Sequence, residues 1–320
     1  MWQPDPKEVH GPEPATLDDV DGLNTIFATS FTDRYRRDGM AGVRVPRLNP
    51  HIWRYAIEDA AAGALLWRDS TGEIIAFNMV HRSGTEGWMG PLAVRPERQS
   101  EGLGKRIVQA GVDWLKDEGA STIGLETMPR TVENIGFYSR LGFAPGYLTI
   151  TVVRDVARRQ RPPGQLLSSL GGRRAAVIAE CRRLTGELAP GVDYTREIDL
   201  TAQLGIGDTC IVTRDGQVSG YALWHSAPLA EARAGDELRV LKVVARDLDT
   251  FEQLLVDVQA RCHANRMRRV SLRCQSQYVE AYRMVLDHGF HTHWTDLRMT
   301  LHSYGEIRPE TGVLFSNWEI

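Results

Sequence analysis

At 320 residues the chain is long enough for two domains of about 150 residues each, or for one large one. Its 38 Lys and Arg nearly balance 41 Asp and Glu, a formal net charge of -3 that argues against a sheath around nucleic acid or an anionic membrane. With 42% hydrophobic and 25% charged residues, it has the composition of a globular chain with a buried core and not that of a disordered one.

The opening Met1-Trp2-Gln3-Pro4-Asp5-Pro6-Lys7-Glu8 has neither the basic start nor the apolar run of a secretory signal. Runs such as Ile74-Ile75-Ala76-Phe77 stop well short of the roughly 18 residues needed to cross a bilayer, so a cytoplasmic protein is expected. After a proline-rich lead-in, Thr16-Leu17-Asp18-Asp19 reads as a helix start, with Thr16 as N-cap and Val20, Leu23, Phe27 and Phe31 on one face. A second helix is expected from Asn49-Pro50 to Ala62. The pattern then shortens to a β-hairpin, Leu65-Leu66-Trp67 and Ile74 to His81 around Asp69-Ser70-Thr71-Gly72, followed by a strand from Trp88 to Val94. Ile107, Val108, Gly111, Trp114 and Leu115 have the spacing of one buried helix stripe, with Gly119 as the stop. Thr122 to Glu126 reads as a strand and Thr131 to Leu141 as a short helix; Gly142-Phe143 then breaks the chain before a last strand pair reaching Arg154.

Val156 to Arg174 carries Arg158, Arg159, Arg161, Pro162-Pro163-Gly164 and Gly171-Gly172 without a periodic apolar face, the composition of a solvated linker. A second series follows: a helix from Ala175 to Leu188, strands Cys210-Ile211-Val212 and Val218 to Trp224 around Arg214-Asp215-Gly216, and a strand from Leu238 to Ala245. Shifting the first half by 147 carries Gly142-Phe143 onto Gly289-Phe290, Ile107 and Val108 onto Leu254 and Leu255, Leu115 onto Cys262, and Ile123 and Leu125 onto Val270 and Leu272. These matches predict a duplicated mixed α/β domain, 1–155 and 175–320, joined by 156–174. Cys181, Cys210, Cys262 and Cys274 include no C-x-x-C pair, so reduced, buried thiols are expected.

Gln99-Ser100-Glu101-Gly102-Leu103-Gly104 stands between a strand and an amphipathic helix, where free backbone N–H groups and the helix dipole favour an anion. Val94-Arg95-Pro96, then this loop, then Tyr138-Ser139-Arg140-Leu141-Gly142-Phe143 resemble, in order and spacing, the signature of the GNAT superfamily of acyl-CoA-dependent N-acetyltransferases. The resemblance covers the first 155 residues and, through the repeat, extends more weakly over 190–303. It implies an α/β fold of two tandem GNAT-like domains, acetyl-CoA as co-substrate and no metal. By the same resemblance, Gln99, Ser100, Glu101, Gly102, Leu103 and Gly104 hold the CoA pyrophosphate with help from Lys105, and the backbone of Leu92, Ala93 and Val94 pairs with pantetheine. Tyr138 corresponds to the family's general acid. Glu126 and Glu86 are the candidates for the base that neutralises the amine. Thr131 stands where an Asn is usual, with Asn134 three residues on, and either could touch CoA.

Under the same shift Gly102 becomes Asp249, Gly104 Phe251, Tyr138 Val285 and Glu126 Arg273. The second half is therefore expected to be a degenerate copy, kept for packing or for shaping the acceptor site, with Tyr282 packed in its core. His288, His291, His293 and His302 lack carboxylate or cysteine companions and read as polar surface, and the ending Trp318-Glu319-Ile320 has no readable role. The expected activity is transfer of acetyl from acetyl-CoA to a primary amine of a small molecule or peptide, by a monomer or homodimer with neither nucleic-acid nor membrane partner. A sensor without turnover and an enzyme using longer acyl-CoAs are the alternatives.

Overall fold

The computed structural model describes residues 8–156, 164–233 and 235–318. The first half runs β1 (Val9–Pro14), α1 (Val20–Arg37), α2 (Pro50–Ala60), β2 (Ala64–Asp69), β3 (Ile74–Ser83), β4 (Glu86–Val94), α3 (Leu103–Asp117), β5 (Thr122–Thr127), α4 (Val132–Arg140) and β6 (Phe143–Asp155). The second runs β7 (Gln165–Leu166), α5 (Arg174–Leu188), α6 (Thr195–Leu204), β8 (Gly207–Arg214), β9 (Gln217–His225), β10 (Glu237–Ala245), α7 (Leu248–Ala264), β11 (Arg269–Gln275), α8 (Val279–Asp287), β12 (His291–Leu301) and β13 (Val313–Ser316). The duplication is visible in the pairing: β4 and β5 are parallel with Thr122 opposite Glu86, and β10 and β11 are parallel with Arg269, 147 residues on, opposite Glu237.

All strands join one sheet in the order β1-β2-β3-β4-β5-β12-β6-β11-β10-β9-β8-β7, with β13 added on β10. The last long strand of each half is exchanged. β12 pairs with β5, Leu297 opposite Thr127, and β6 pairs with β11 from Thr149 to Asp155. Burial follows the exchange: Met299 of β12 lies in the first half's core with Ile107, Leu115 and Ile123, and Ile150 and Val152 of β6 lie in the second half's core. Two halves that trade strands cannot be separated without losing both cores.

Local chemistry explains most elements. Asn49 caps α2 by accepting from the His51 N–H at 3.0 Å, ahead of Pro50. In α3 the stripe Ile107, Val108, Val112 and Leu115 is buried, and Gly111 stands where a Cβ would meet Asn78 Nδ2 and Met89 Sδ at 2.6 Å, so only glycine lets this helix lie on the sheet.

Three expectations are corrected. The proline-rich lead-in contains an edge strand, β1, where proline costs no ladder bond on the solvent side. Between Gly142 and Arg154 there is one strand, the 13-residue β6, and not a pair. The later part of the expected linker forms β7 and a 3-10 turn whose Leu167 and Leu170 are buried, so it is not wholly solvated; Arg158, Arg159 and Arg161 lie outside the described residues. Trp318 is buried, 5.3 Å from the Trp88 ring. The four cysteines are free and buried.

Between α2, α6 and the sheet lies a buried polar cluster. Asp59 holds His81 Nδ1 at 2.7 Å, Ser83 donates to Glu197, and Lys242 Nζ stands 3.8 Å from Glu197, 3.3 Å from Ser316 Oγ and 4.0 Å above the Trp318 ring. Burial above all, with Asp59 adding, raises the Glu197 carboxyl to about 7, against the pull of Lys242. A carboxyl raised on folding gives stability that is whole below its ordinary 4.5 and lost as pH climbs to about 7. Urea midpoints should fall across that interval, and Glu197→Gln should flatten the slope; an unchanged slope would contradict this assignment.

Candidate active site

The first half holds a wedge between two parallel strands. β4 and β5 pair from Glu86–Met89 against Thr122–Leu125 and then separate. From Val80–Met89 to Asn78–Leu92 the ladder advances two residues on β3 but three on β4, across Gly90 and Pro91, so β4 bulges and turns away from β5. Beyond the bulge Leu92, Ala93 and Val94 remain paired to Asn78, Phe77 and Ala76 of β3, which leaves their other edge facing the gap. An extended amide-bearing chain could add there as a strand does. The Val94 carbonyl already accepts from Ser30 Oγ and Gln99 Nε2, both at 3.2 Å.

The wedge leads to the start of α3. Ser100 and Gly102 have φ of +67° and +81°, which turns the loop sharply into the helix. The helical ladder begins with the Arg106 N–H donating to the Gly102 carbonyl at 3.3 Å, so the amides of the preceding turn lie ahead of it. Gln99 ties the loop to its surroundings, its Oε1 accepting from Arg37 at 3.1 Å, and Glu101 pairs with Arg98 at 2.9 Å. Leu103 is buried and anchors the turn, whereas Lys105 is exposed beside it. A positive helix terminus flanked by Lys105 and Arg37 is chemically suited to a pyrophosphate. Arg37 was not visible as a site residue in the sequence, because α1 reaches the loop only through the fold.

Tyr138 lies on α4 with its ring 5.2 Å from Phe137 and 6.3 Å from Phe143. Burial raises its hydroxyl well above the ordinary tyrosine range, so it stays protonated. Thr131 is fully buried and donates to Asp38 Oδ2 at 2.5 Å, joining α4 to the end of α1; Asn134 reaches Thr127 Oγ1 at 3.4 Å.

The two candidate bases part company. Glu86 is buried and accepts from Trp88 Nε1 at 3.1 Å, Tyr194 OH at 2.9 Å and Ser316 Oγ at 2.8 Å, which leaves it a structural hub of the seam. Glu126 accepts from Thr149 Oγ1 and Arg273 Nη2, each at 2.5 Å, with Arg298 at 3.7 Å. Burial works against its charge, yet Arg273 and then Arg298 outweigh it and hold the carboxyl below the ordinary range. Arg273 is the residue 147 beyond Glu126, so repeat-related positions pair with each other across the seam. The same Arg273 nitrogen also reaches Asp296 Oδ2 at 2.9 Å. Neither Asp296 nor Arg298 could be found from sequence, since both arrive on the exchanged β12.

In the second half the matching wedge is full. β10 and β11 pair only as far as Val240–Leu272, and from Lys242 to Ala245 the place beside β10 is taken by β13, with Ser316 opposite Lys242 and Val313 opposite Ala245. Asn317 closes the fork: its N–H reaches the Leu241 carbonyl at 3.0 Å and its side chain the Arg273 carbonyl at 3.0 Å. The phosphate loop is also gone. Asp247 caps α7 by accepting from the Thr250 N–H at 2.8 Å, and Phe251 is fully buried. Val285 is buried where Tyr138 has its counterpart, and Tyr282 is half-buried with its hydroxyl 2.9 Å from Thr292 Oγ1. His291 and His293 are exposed, and among the described residues no group of three or more His, Cys, Asp or Glu could hold a metal ion.

Residues 25–143, which carry the wedge, the loop and Tyr138, match the Acetyltransferase (GNAT) family. The first half of the chain thus carries the GNAT-family match. Over 97 residues, 29% of this chain and 65% of the relative, it is 31% identical to N-alpha-acetyltransferase 30 of Schizosaccharomyces pombe. Over 88 residues, 26% of this chain and 27% of the relative, it is 36% identical to the mycothiol acetyltransferase of Pseudarthrobacter chlorophenolicus. The matches thus span under two thirds of either relative's length. In fold, both halves together resemble a tandem GNAT protein from the clavulanic acid biosynthesis pathway, with a TM-score of 0.60 at 13% identity over 92% of this chain and 98% of that one. The fold is therefore two tandem GNAT-like domains in a mixed α/β arrangement. Among the described residues no helix of the chain is long and apolar enough to cross a membrane.

Proposed function

We propose that the chain, divided at 1–155, 156–174 and 175–320, is an N-acetyltransferase whose chemistry runs in its first half. The observation that carries this reading is the open β4–β5 wedge leading to a glycine-turned helix terminus, in a chain whose second wedge is filled by β13. The co-substrate is acetyl-CoA, its pyrophosphate on the amides of Gln99–Gly104 with Lys105 and Arg37 alongside, and its pantetheine amides on the free edge of Leu92–Val94. The acetylating names of the relatives, N-alpha-acetyltransferase and mycothiol acetyltransferase among them, support acetyl transfer to an amine.

The chemistry follows from the group that thioester aminolysis must serve. A neutral primary amine attacks the thioester carbonyl carbon, a C–N bond forms and the C–S bond breaks. The departing thiolate takes a proton, and Tyr138, kept protonated by burial, is the group on α4 to give it. The tyrosinate recovers a proton from the nitrogen that has just been acylated. Tyr138→Phe should lower kcat about 100-fold, the order of a lost general acid, with acetyl-CoA affinity little changed. Thiol release with a panel of small amines and peptide N-termini measures it; an undiminished rate would remove Tyr138 from the mechanism, and no thiol release with any amine would leave acyl-CoA binding as the function.

A further inference from the structure

Glu126 and Glu86 leave the removal of the amine's proton unassigned: one is pinned by two arginines and the other is buried among three donors. The acceptor side of the first half is completed by the second. Where β12 passes Leu297, opposite Thr127, it separates from β5 and opens a cavity of about 350 Å³ between Met128, Pro129 and Arg130 on one side and residues 292–295 on the other. This is the small end of the range for ligand pockets, and Met128, Pro129 and Trp294 give it apolar walls. Tyr35 of α1 packs on Trp294 with ring centres 6.2 Å apart. The cavity and the thioester wedge thus lie on opposite sides of the same β5 terminus.

One residue on from that wall stands Asp296, with 17% of its side chain exposed. It accepts from Trp294 Nε1 at 3.1 Å and from Arg273 Nη2 at 2.9 Å, so it is oriented yet keeps lone pairs free. Resting on the reading of the first half as an acetyltransferase, we propose that the acceptor is a primary amine on a small, largely apolar body, that it enters this cavity between the halves, and that Asp296 takes its proton. The balance is simple: the ammonium N–H bond breaks, its electron pair stays on nitrogen for attack on the thioester, and the proton passes to an Asp296 oxygen and on to solvent.

The surroundings support the division of labour. Burial, with Glu126 adding, raises the Asp296 carboxyl, while Arg273 opposes; its neighbour Glu126 is lowered. Two carboxylates meeting at one guanidinium nitrogen are therefore pushed apart, one to stay charged and one to accept a proton. Arg298 of β12, Thr149 of β6, Tyr35 of α1 and the buried Glu306 also act on these carboxylates, and His293 and Arg130 line the cavity.

The test uses the full chain, acetyl-CoA and 2-phenylethylamine as the probe amine, with thiol release followed across pH. The wild type should acetylate the probe, and Asp296→Asn should lower kcat/KM about 100-fold near neutrality while acetyl-CoA affinity holds. That deficit should shrink as pH rises and neutral amine arrives from solution, and Asp296→Glu should restore part of the rate. A purely structural role would give a loss independent of pH, and that result, or full activity in Asp296→Asn, would overturn the proposal. Acetyl-CoA binding without turnover of the probe by the wild type would overturn this acceptor assignment alone; no acetyl-CoA binding would overturn the reading of the first half and this proposal with it.

Discussion

Arg298→Met should lower the unfolding free energy by about 3–5 kcal/mol, the range for breaking a buried ion pair by removing one partner. Arg298 is 1% exposed and reaches Glu306 at 2.9 Å, Glu126 at 3.7 Å and the Ser316 carbonyl at 3.1 Å, with its guanidinium 3.9 Å above the Trp88 ring. Methionine fills similar space but leaves the Glu306 carboxylate buried without a cation and the Ser316 carbonyl without that donor. Lysine keeps the charge but loses the planar guanidinium that bonds the Ser316 carbonyl while lying between Glu306 and Glu126, so Arg298→Lys should recover only part of the loss. Urea unfolding measures both, and a cost below about 1 kcal/mol for Arg298→Met would mean the arginine is solvated and the seam looser than described.

The second large effect is on ligand binding. A Gly102→Asp, Gly104→Phe double variant should weaken acetyl-CoA by about 100-fold or more, on the scale of two charge-assisted hydrogen bonds lost together. At φ +81° residue 102 meets no atom where a Cβ would go, so the aspartate is strained by conformation and not by space. Its carboxylate would stand at the N-cap and take the α3 amides for itself, setting a negative charge where pyrophosphate belongs. At 104 the added ring must displace Phe137, whose edge lies 3.4 Å from the Cβ position. Residue 102 is exposed and residue 104 half-buried in the first turn of α3, so the fold should survive with a modest loss of thermal stability from the strained backbone at 102 and the displaced Phe137 ring. Unaltered affinity in the folded variant would move the phosphate site elsewhere.

The elements that could be read from sequence are those whose cause is local. The α3 stripe, the Asn49-Pro50 start of α2 and the strand–loop–helix order around Gly102 depend on residues a few positions apart, and each is where the pattern puts it. The duplication was legible because repeated burial repeats apolar positions, as Leu115 and Cys262 illustrate. Features set by distant partners were not. β1 reads as a proline-rich lead-in because only its neighbour β2 makes it a strand. The exchange of β6 and β12 leaves no mark in the pattern, since either strand satisfies the same alternation against either half. Val313-Leu314-Phe315 was a usable signal for β13, a short apolar run near the end, but its place beside β10 depends on a wedge that sequence does not display. Glu86 and Glu126 were chosen by residue type and strand position, whereas their environments come from Tyr194, Ser316, Arg273 and Arg298 in the other half.

The central claim is one working cofactor site in a chain built of two copies of one fold. Calorimetric titration of acetyl-CoA into the full chain tests it most directly. One molecule bound per chain, lost in the Gly102→Asp, Gly104→Phe variant, is the predicted result. Two molecules per chain, or one that survives in that variant, would contradict it.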